Sequence, residues 1–377
     1  MRNARRAVPS RITRLALPDP TAARRSRPLG SWSRRRVSGA PPEPAPYPPR
    51  VKWILRGLLA VLVLLALGVA GALASAYLSL DRGRAHSART AALPRLAPGQ
   101  PDGLVQIPAN GMTFRARVAG LANPGPAVIL LHGFPQTSAM WEPLIGAAAA
   151  QGYRVLALDQ RGYSPGARPE GVDSYAVLEL VGDVIAVADA AGFERFHLVG
   201  HDWGCVVGWV TTIQHPERVL TWSGLSIPHP GTLLTDIARD PPTYIRVNTA
   251  PLVPETLLSF NGMSRLRGIY ARATPAQREE YLAVFSEPGA LTAALDWYRA
   301  IGASLGSGEA ASGPVSTPTL FAYGSREFWV NEDALVRQRA LVTGRYRELE
   351  VDAGHFVLEE RPDEIVAAVL EHLAGER

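Results

Sequence analysis

The chain has a single cysteine, Cys205, among 377 residues. No intrachain disulfide can form, and a disulfide-stapled fold is excluded. No internal repeat is evident, which removes solenoids and propellers. Aromatic residues are modest at 7%. Acidic charge is scarce at the N-terminus, where residues 1–56 hold fourteen Lys and Arg against only Asp19 and Glu43. That balance of +12, within a whole-chain charge of +5, leaves −7 on the rest. A basic tail on a mildly acidic body gives no reason to expect nucleic-acid binding by the body. What is abundant is apolar residues, 47% of the chain, enough for a sizeable core.

Residues 1–50 are rich in Arg, Pro and Ser without helical or strand period, which predicts a disordered tail. Gly57 to Leu80 then runs 24 residues without a charge. As a helix it spans roughly 36 Å, enough to cross a bilayer. Lys52, Arg56 and the Arg-rich tail precede it, so the charge bias favours a cytoplasmic N-terminus and a body outside the cytoplasm. Ala74-Ser75-Ala76 also fits a signal-peptide cleavage pattern, in which case the body is secreted; a buried core helix is the third reading. Val51 opens the segment and is an alternative start to Met1. The divisions expected are a tail at 1–50, a membrane or signal segment at 51–80 and a linker at 81–103. A core follows at 104–229, a helical cap at 230–314 and the second part of the core at 315–377.

Within the core, Ala127–Leu131, Tyr153–Leu158, Arg195–Val199 and Thr319–Tyr323 are short apolar runs that read as buried strands. Helix-period segments such as Tyr175–Ala191 lie between them, and this alternation predicts a mostly parallel sheet covered on both faces. Between Pro230 and Pro314 the strand signal disappears. That stretch reads as a helical insertion after the sixth strand, above the carboxyl edge of the sheet.

The most informative stretch is Gly200-His201-Asp202-Trp203-Gly204, between a strand and a helical run from Cys205 to Gln214. Gly-x-Asp-x-Gly there has the pattern of a nucleophile elbow, a strained turn that presents one side chain above the sheet. Flanking glycines are needed because the turn brings backbones close. No serine occupies the elbow; a carboxylate there can attack carbon and form an alkyl ester. His132-Gly133-Phe134-Pro135 follows the strand Ala127–Leu131, so the Phe134 and Trp203 amides are the candidate oxyanion hole. His355 follows the last strand-like run, Tyr346–Val351, and is the candidate base. Glu327, just past Thr319–Tyr323, is the candidate acid; Asp333 is the fallback and Glu332 a weaker choice.

With these residues in view, the chain resembles the epoxide hydrolases of the α/β-hydrolase superfamily, in the branch with an aspartate nucleophile. The resemblance rests on HGFP at 132–135, DQRGYSPGARP at 159–169, GHDWG at 200–204 and AGHF at 353–356, and covers roughly residues 105–375. It implies an α/β-hydrolase fold with a cap and conversion of an apolar epoxide and water to a diol, without metal or organic cofactor. It also implies two cap tyrosines that hold the epoxide oxygen. Asp296-Trp297-Tyr298-Arg299 matches the motif of one, so Tyr298 takes that role, and Tyr244, preceding Pro251-Leu252-Val253-Pro254-Glu255, takes the other. Three positions depart from the family pattern: Glu327 stands where Asp is usual, Cys205 where a second Gly is common, and Leu252 where the cap has Gly. Haloalkane or haloacid dehalogenation with the same triad is the alternative chemistry. A non-catalytic, membrane-tethered binding protein is the alternative class.

Overall fold

The computed structural model describes residues 49–305 and 308–375. The chain divides into two compact units, Met1–Ala60 and Val61–Arg377. The tail expected at 1–50 lies outside the described residues except for Pro49 and Arg50, which are helical and open α1 (Pro49–Ala91). In the first unit the described residues 49–60 are all helix. The most apolar stretch of α1 has a mean hydropathy of 2.6 and none of it is buried, so the core-helix reading falls away. Among the described residues, this is the one helix long and apolar enough to cross a membrane.

The expected linker at 81–103 is corrected in its first half, because α1 continues to Ala91, and its part from Val61 on packs within the second unit. Gly83 packs so tightly that a Cβ there would stand 2.2 Å from the Ser286 carbonyl oxygen. His86 is buried, with Nδ1 2.7 Å from Glu287 and Nε2 2.8 Å from Arg115. Arginine only donates, so Nε2 accepts and Nδ1–H donates to Glu287. Arg82, Arg84 and Arg89 do not end the helix; Arg82 bonds Glu279 at 2.8 Å, while Arg84 and Arg89 are exposed.

One eight-stranded sheet organises the second unit, in the order β1-β2-β4-β3-β5-β6-β7-β8. The strands are β1 (Gly103–Ala109), β2 (Met112–Ala119), β3 (Ala127–Leu131), β4 (Arg154–Asp159), β5 (Phe196–His201), β6 (Val219–Leu225), β7 (Thr319–Gly324) and β8 (Tyr346–Val351). β3 to β8 are parallel, and β2 is antiparallel to both β1 and β4. Asn110-Gly111, both with positive φ, close the β1–β2 hairpin. Every residue of β3, β5 and β7 is buried, which is why these strands read as unbroken apolar runs. Helices α2 (Glu142–Ala150), α3 (Val177–Ala190) and α4 (Trp203–Gln214) connect successive strands.

Between β6 and β7 the described residues are helical, from α5 (Pro230–Arg239) and α6 (Thr243–Thr249) through α7 (Val253–Ile269), α8 (Pro275–Phe285) and α9 (Ala290–Arg299) to the short α10 (Ile301–Leu305) and α11 (Glu309–Ser312). After β7 come α12 (Glu332–Leu341), α13 (Val357–Glu360) and α14 (Pro362–Ala374). The inserted helices are tied to the sheet through the Asp159–Pro169 loop. The Trp297 indole N–H donates to the Arg161 carbonyl at 3.0 Å, while Arg161 grips Asp183 with two bonds of 2.7 Å. Arg299 clamps α9 to α7 by bonding Asp296 at 2.8 Å and Glu255 at 2.7 Å. Arg115, buried in β2, reaches Asp159 in the core, Glu280 in α8 and His86 in α1. Each of these buried charges has a partner, the condition for tolerating it.

Candidate active site

Asp202 sits between the end of β5 and the start of α4 with φ 53° and ψ −120°, a conformation unfavourable for any residue but glycine. Its neighbours explain the sequence pattern. A Cβ on Gly200 would stand 2.3 Å from the Gly204 carbonyl oxygen, and one on Gly204 would stand 2.1 Å from that of Leu131. A Cβ on Gly133 would collide with the Asp202 carboxylate itself, 2.4 Å from Oδ1. Only glycine lets the three backbones converge on this side chain.

The two carboxylate oxygens have different surroundings. The Phe134 amide donates to Oδ1 at 2.7 Å, and the Trp203 amide also bonds the carboxylate. Oδ2 lies 3.3 Å from His355 Nε2. On the far side of that ring, His355 Nδ1 is 2.7 Å from Glu327 Oε2. Oε1 of the same carboxylate accepts from the Trp329 amide at 3.2 Å. The His355 carbonyl takes bonds from Ser226 Oγ at 2.7 Å and His201 Nε2 at 2.9 Å, which pins the loop after β8 to the elbow. Asp202, His355 and Glu327 therefore form one continuous line, an ion-pair contact on one side of the ring and a hydrogen bond on the other. Glu332 and Asp333 lie on α12, exposed and paired with Arg339 and Arg337.

Burial opposes charge on His355, but its bonds to Asp202 and Glu327 and their negative charges outweigh it and raise its pKa to about 10. Burial pushes Asp202 up, yet the bond to His355, the His355 charge and the Trp203 amide hold it below the ordinary carboxylate value. The resting site is thus a carboxylate–imidazolium–carboxylate line. This changes the pH dependence that an ordinary histidine would give. His355 in the free enzyme should cause no fall in kcat/KM between pH 6 and 9. It should also stabilise the fold fully below its unfolded value of about 6.5. That stabilisation is lost as pH rises from there toward about 10. Thermal melts across this window should show Tm declining for the parent, and Glu327→Gln should flatten the decline.

Above the line lie two tyrosines. Tyr298, buried in α9, sets its ring edge-on to Trp203 at 5.1 Å and to Phe134 at 5.5 Å, between the two residues whose amides hold Asp202. Tyr244, in α6, is 6.5 Å from Tyr298, ring to ring. Burial, then the nearby Asp202 charge, raise both phenol pKa values, so both remain protonated donors. A cleft of about 990 Å³ contains Asp202, His355, Tyr244 and Tyr298. Behind it a narrower apolar chamber, lined by Val206, Ile227 and Ile245 among others, again meets Asp202 and both tyrosines.

Trp329 is absent from the sequence-derived site. Its indole N–H donates to Tyr244 Oη at 2.8 Å, while its amide holds Glu327. By filling an acceptor site on Tyr244 it leaves the phenol hydrogen free to point elsewhere. Trp329→Phe keeps the amide and loses the indole bond. We expect kcat/KM to fall about 3–10-fold, the effect of one neutral hydrogen bond. Adding Trp329→Phe to Tyr244→Phe should cost little more, because the two act as a unit.

Ser164 lies in Gly162-Tyr163-Ser164-Pro165-Gly166, formally Gly-x-Ser-x-Gly, but outside any strand-to-helix elbow. Its buried Oγ donates to the Asp159 carbonyl at 2.6 Å and accepts from the Arg115 amide at 2.8 Å, a structural role. Cys205 is buried beneath the elbow with Sγ on the Ile227 carbonyl at 3.0 Å. Leu252 adopts φ +63° at the start of α7, which explains why glycine suits that position.

The model of the alpha/beta hydrolase fold family matches residues 126–362. Epoxide hydrolase A of Mycobacterium tuberculosis is 31% identical over 313 residues, covering 71% of this chain and 96% of that protein. Epoxide hydrolase 4 of Mus musculus is 29% identical and covers 84% of this chain and 94% of its own length. The crystal structure of epoxide hydrolase A from Mycobacterium thermoresistibile superposes with a TM-score of 0.66 at 27% identity, covering 73% of this chain and 99% of that one.

Proposed function

This chain belongs to the α/β-hydrolase fold family, and from that membership we propose that it hydrolyses an apolar epoxide to a vicinal diol through an ester on Asp202. The observation that carries the proposal is the pairing of an Asp202–His355–Glu327 line with two protonated tyrosines across one cleft. The epoxide oxygen takes hydrogen bonds from Tyr244 and Tyr298. Oδ2 of Asp202 attacks one ring carbon as the C–O bond on the far side breaks, and a tyrosine proton neutralises the alkoxide. The product of this step is a hydroxyalkyl ester of Asp202.

Esterification removes the Asp202 negative charge. His355 then loses one of the two carboxylates that hold its proton, and its pKa falls from about 10. After releasing that proton to the phenolate or to solvent, it serves as base for a water that attacks the Asp202 Cγ. Glu327 stabilises the imidazolium that returns. The Phe134 and Trp203 amides, already on the carboxylate, carry the oxyanion on Oδ1. Collapse expels the diol, whose new oxygen was Oδ2. The sequence of steps consumes only epoxide and water.

For location, we read α1 as an anchor with the body outside the cytoplasm; cleavage after Ala76 would instead release the body. The mass of the mature protein separates these outcomes. Incubation with a panel of epoxides and haloalkanes tests the chemistry. Diol without halide is expected. Halide release without diol would point to dehalogenation, and neither product would leave a binding protein.

A further inference from the structure

Within the second unit, the stripe of α1 that packs on the rest of that unit is small and polar: Ser75, Ser79, Gly83, Ser87 and Thr90 recur every three or four residues and are partly or fully buried. Two of these, Ser75 and Ser79, lie inside the uncharged run Gly57–Leu80. A Cβ on Gly262 in α7 would meet Ser75 Oγ at 3.4 Å, so the cap touches α1 there. Ser75 is five residues before the end of that run, roughly 7.5 Å of helix. A bilayer spanned by the run therefore brings the Gly262 turn to interfacial depth, within the roughly 5–10 Å band in which apolar side chains embed.

The cap carries what such a position requires. Asn261, Gly262 and Met263 all adopt positive φ, and this break in α7 turns Phe260 outward, 70% exposed. Leu252, at 76%, Val253 and Ile269 are exposed on the same element or its start. Arg265 and Arg267 are exposed beside them, while the acidic Glu255 is held by Arg299. An apolar tip with two exposed arginines beside it suits an anionic bilayer surface. The wall of the catalytic cleft is built from this same helix, through Leu257, Leu258, Arg265 and Ile269, with Phe328 opposite.

We propose that the tip of the cap around Phe260 is immersed in the membrane interface, so that the cleft opens onto the bilayer and receives epoxides dissolved in it. This rests on the anchor and epoxide readings above. The substrate class is then a lipophilic, membrane-partitioned epoxide rather than a water-soluble one.

The test uses the full chain in phosphatidylcholine–phosphatidylglycerol vesicles. The one native cysteine is buried, so Phe260→Cys takes a fluorescent label selectively, with Val336→Cys on α12 as the exposed control. Acyl-brominated lipid should quench the label at 260 several-fold more than at 336. Equal quenching overturns the immersion. In parallel, unlabelled Phe260→Asp should lower kcat/KM at least tenfold on a long-chain epoxide carried in the vesicles and leave a small water-soluble epoxide unaffected. Equal effects on both substrates, or on neither, overturn delivery from the bilayer. If the parent enzyme opens neither epoxide, the epoxide reading fails, while quenching still decides where the tip lies.

Discussion

His355→Gln is expected to stop the enzyme halfway. Asp202 retains its amide partners at Phe134 and Trp203 and still attacks the epoxide, so intact mass should rise by one substrate and remain raised for hours. Without its base, steady-state diol formation should fall about 10²–10⁴-fold. Asp202→Ala should behave differently, with turnover down about 10⁴-fold or more and no mass increase at all. The two variants separate the half-reactions. A His355→Gln enzyme that turns over freely, or an Asp202→Ala enzyme that still gains substrate mass, would place the nucleophile elsewhere.

The second large effect concerns the tyrosines. Replacing both Tyr244 and Tyr298 by Phe removes the donors that face the developing alkoxide while leaving the triad line intact. Loss of one oxyanion donor costs about 10²–10³ in kcat, so the double variant should lose at least that much. The loss should fall on alkylation. Hydrolysis of a preformed ester should continue near the parent rate, because it depends on His355 and the two amides. Tyr298→Phe should be the more damaging single change, since Tyr298 is buried between Trp203 and Phe134 whereas Tyr244 is partly exposed. A burst experiment in which ester forms at full speed without the tyrosines would remove them from the mechanism.

Much of this site was legible in the sequence because sterics permit few residues at its tightest points. Gly200, Gly204 and Gly133 are required by contacts that a methyl group cannot enter, so the elbow appears as a local string. His355 and Glu327 were readable from their offsets past β8 and β7, since parallel strands deliver their following loops to one edge of the sheet. Strand and helix ends shifted by one or two residues: β5 runs to His201 and α4 begins at Trp203. The β1–β2 hairpin had a signal, Asn110-Gly111, between two half-buried strands. Trp329 had none, because its role depends on a cap tyrosine 85 residues earlier. The docking of α1 was also hidden. Its buried stripe is made of Ser, Gly, His and Thr, and hydrophobic periodicity does not register such residues. The order of the triad was readable, but not how far the closeness of both carboxylates would outweigh burial and raise the His355 pKa, to about 10.

A single turnover in ¹⁸O-water, with enzyme in excess over epoxide, tests the covalent role of Asp202 most directly. Unlabelled diol and one ¹⁸O in the peptide carrying Asp202 are expected, because water attacks the ester carbonyl and not the epoxide carbon. Label in the first diol with none in that peptide would mean that water opens the ring directly and that Asp202 is not the nucleophile.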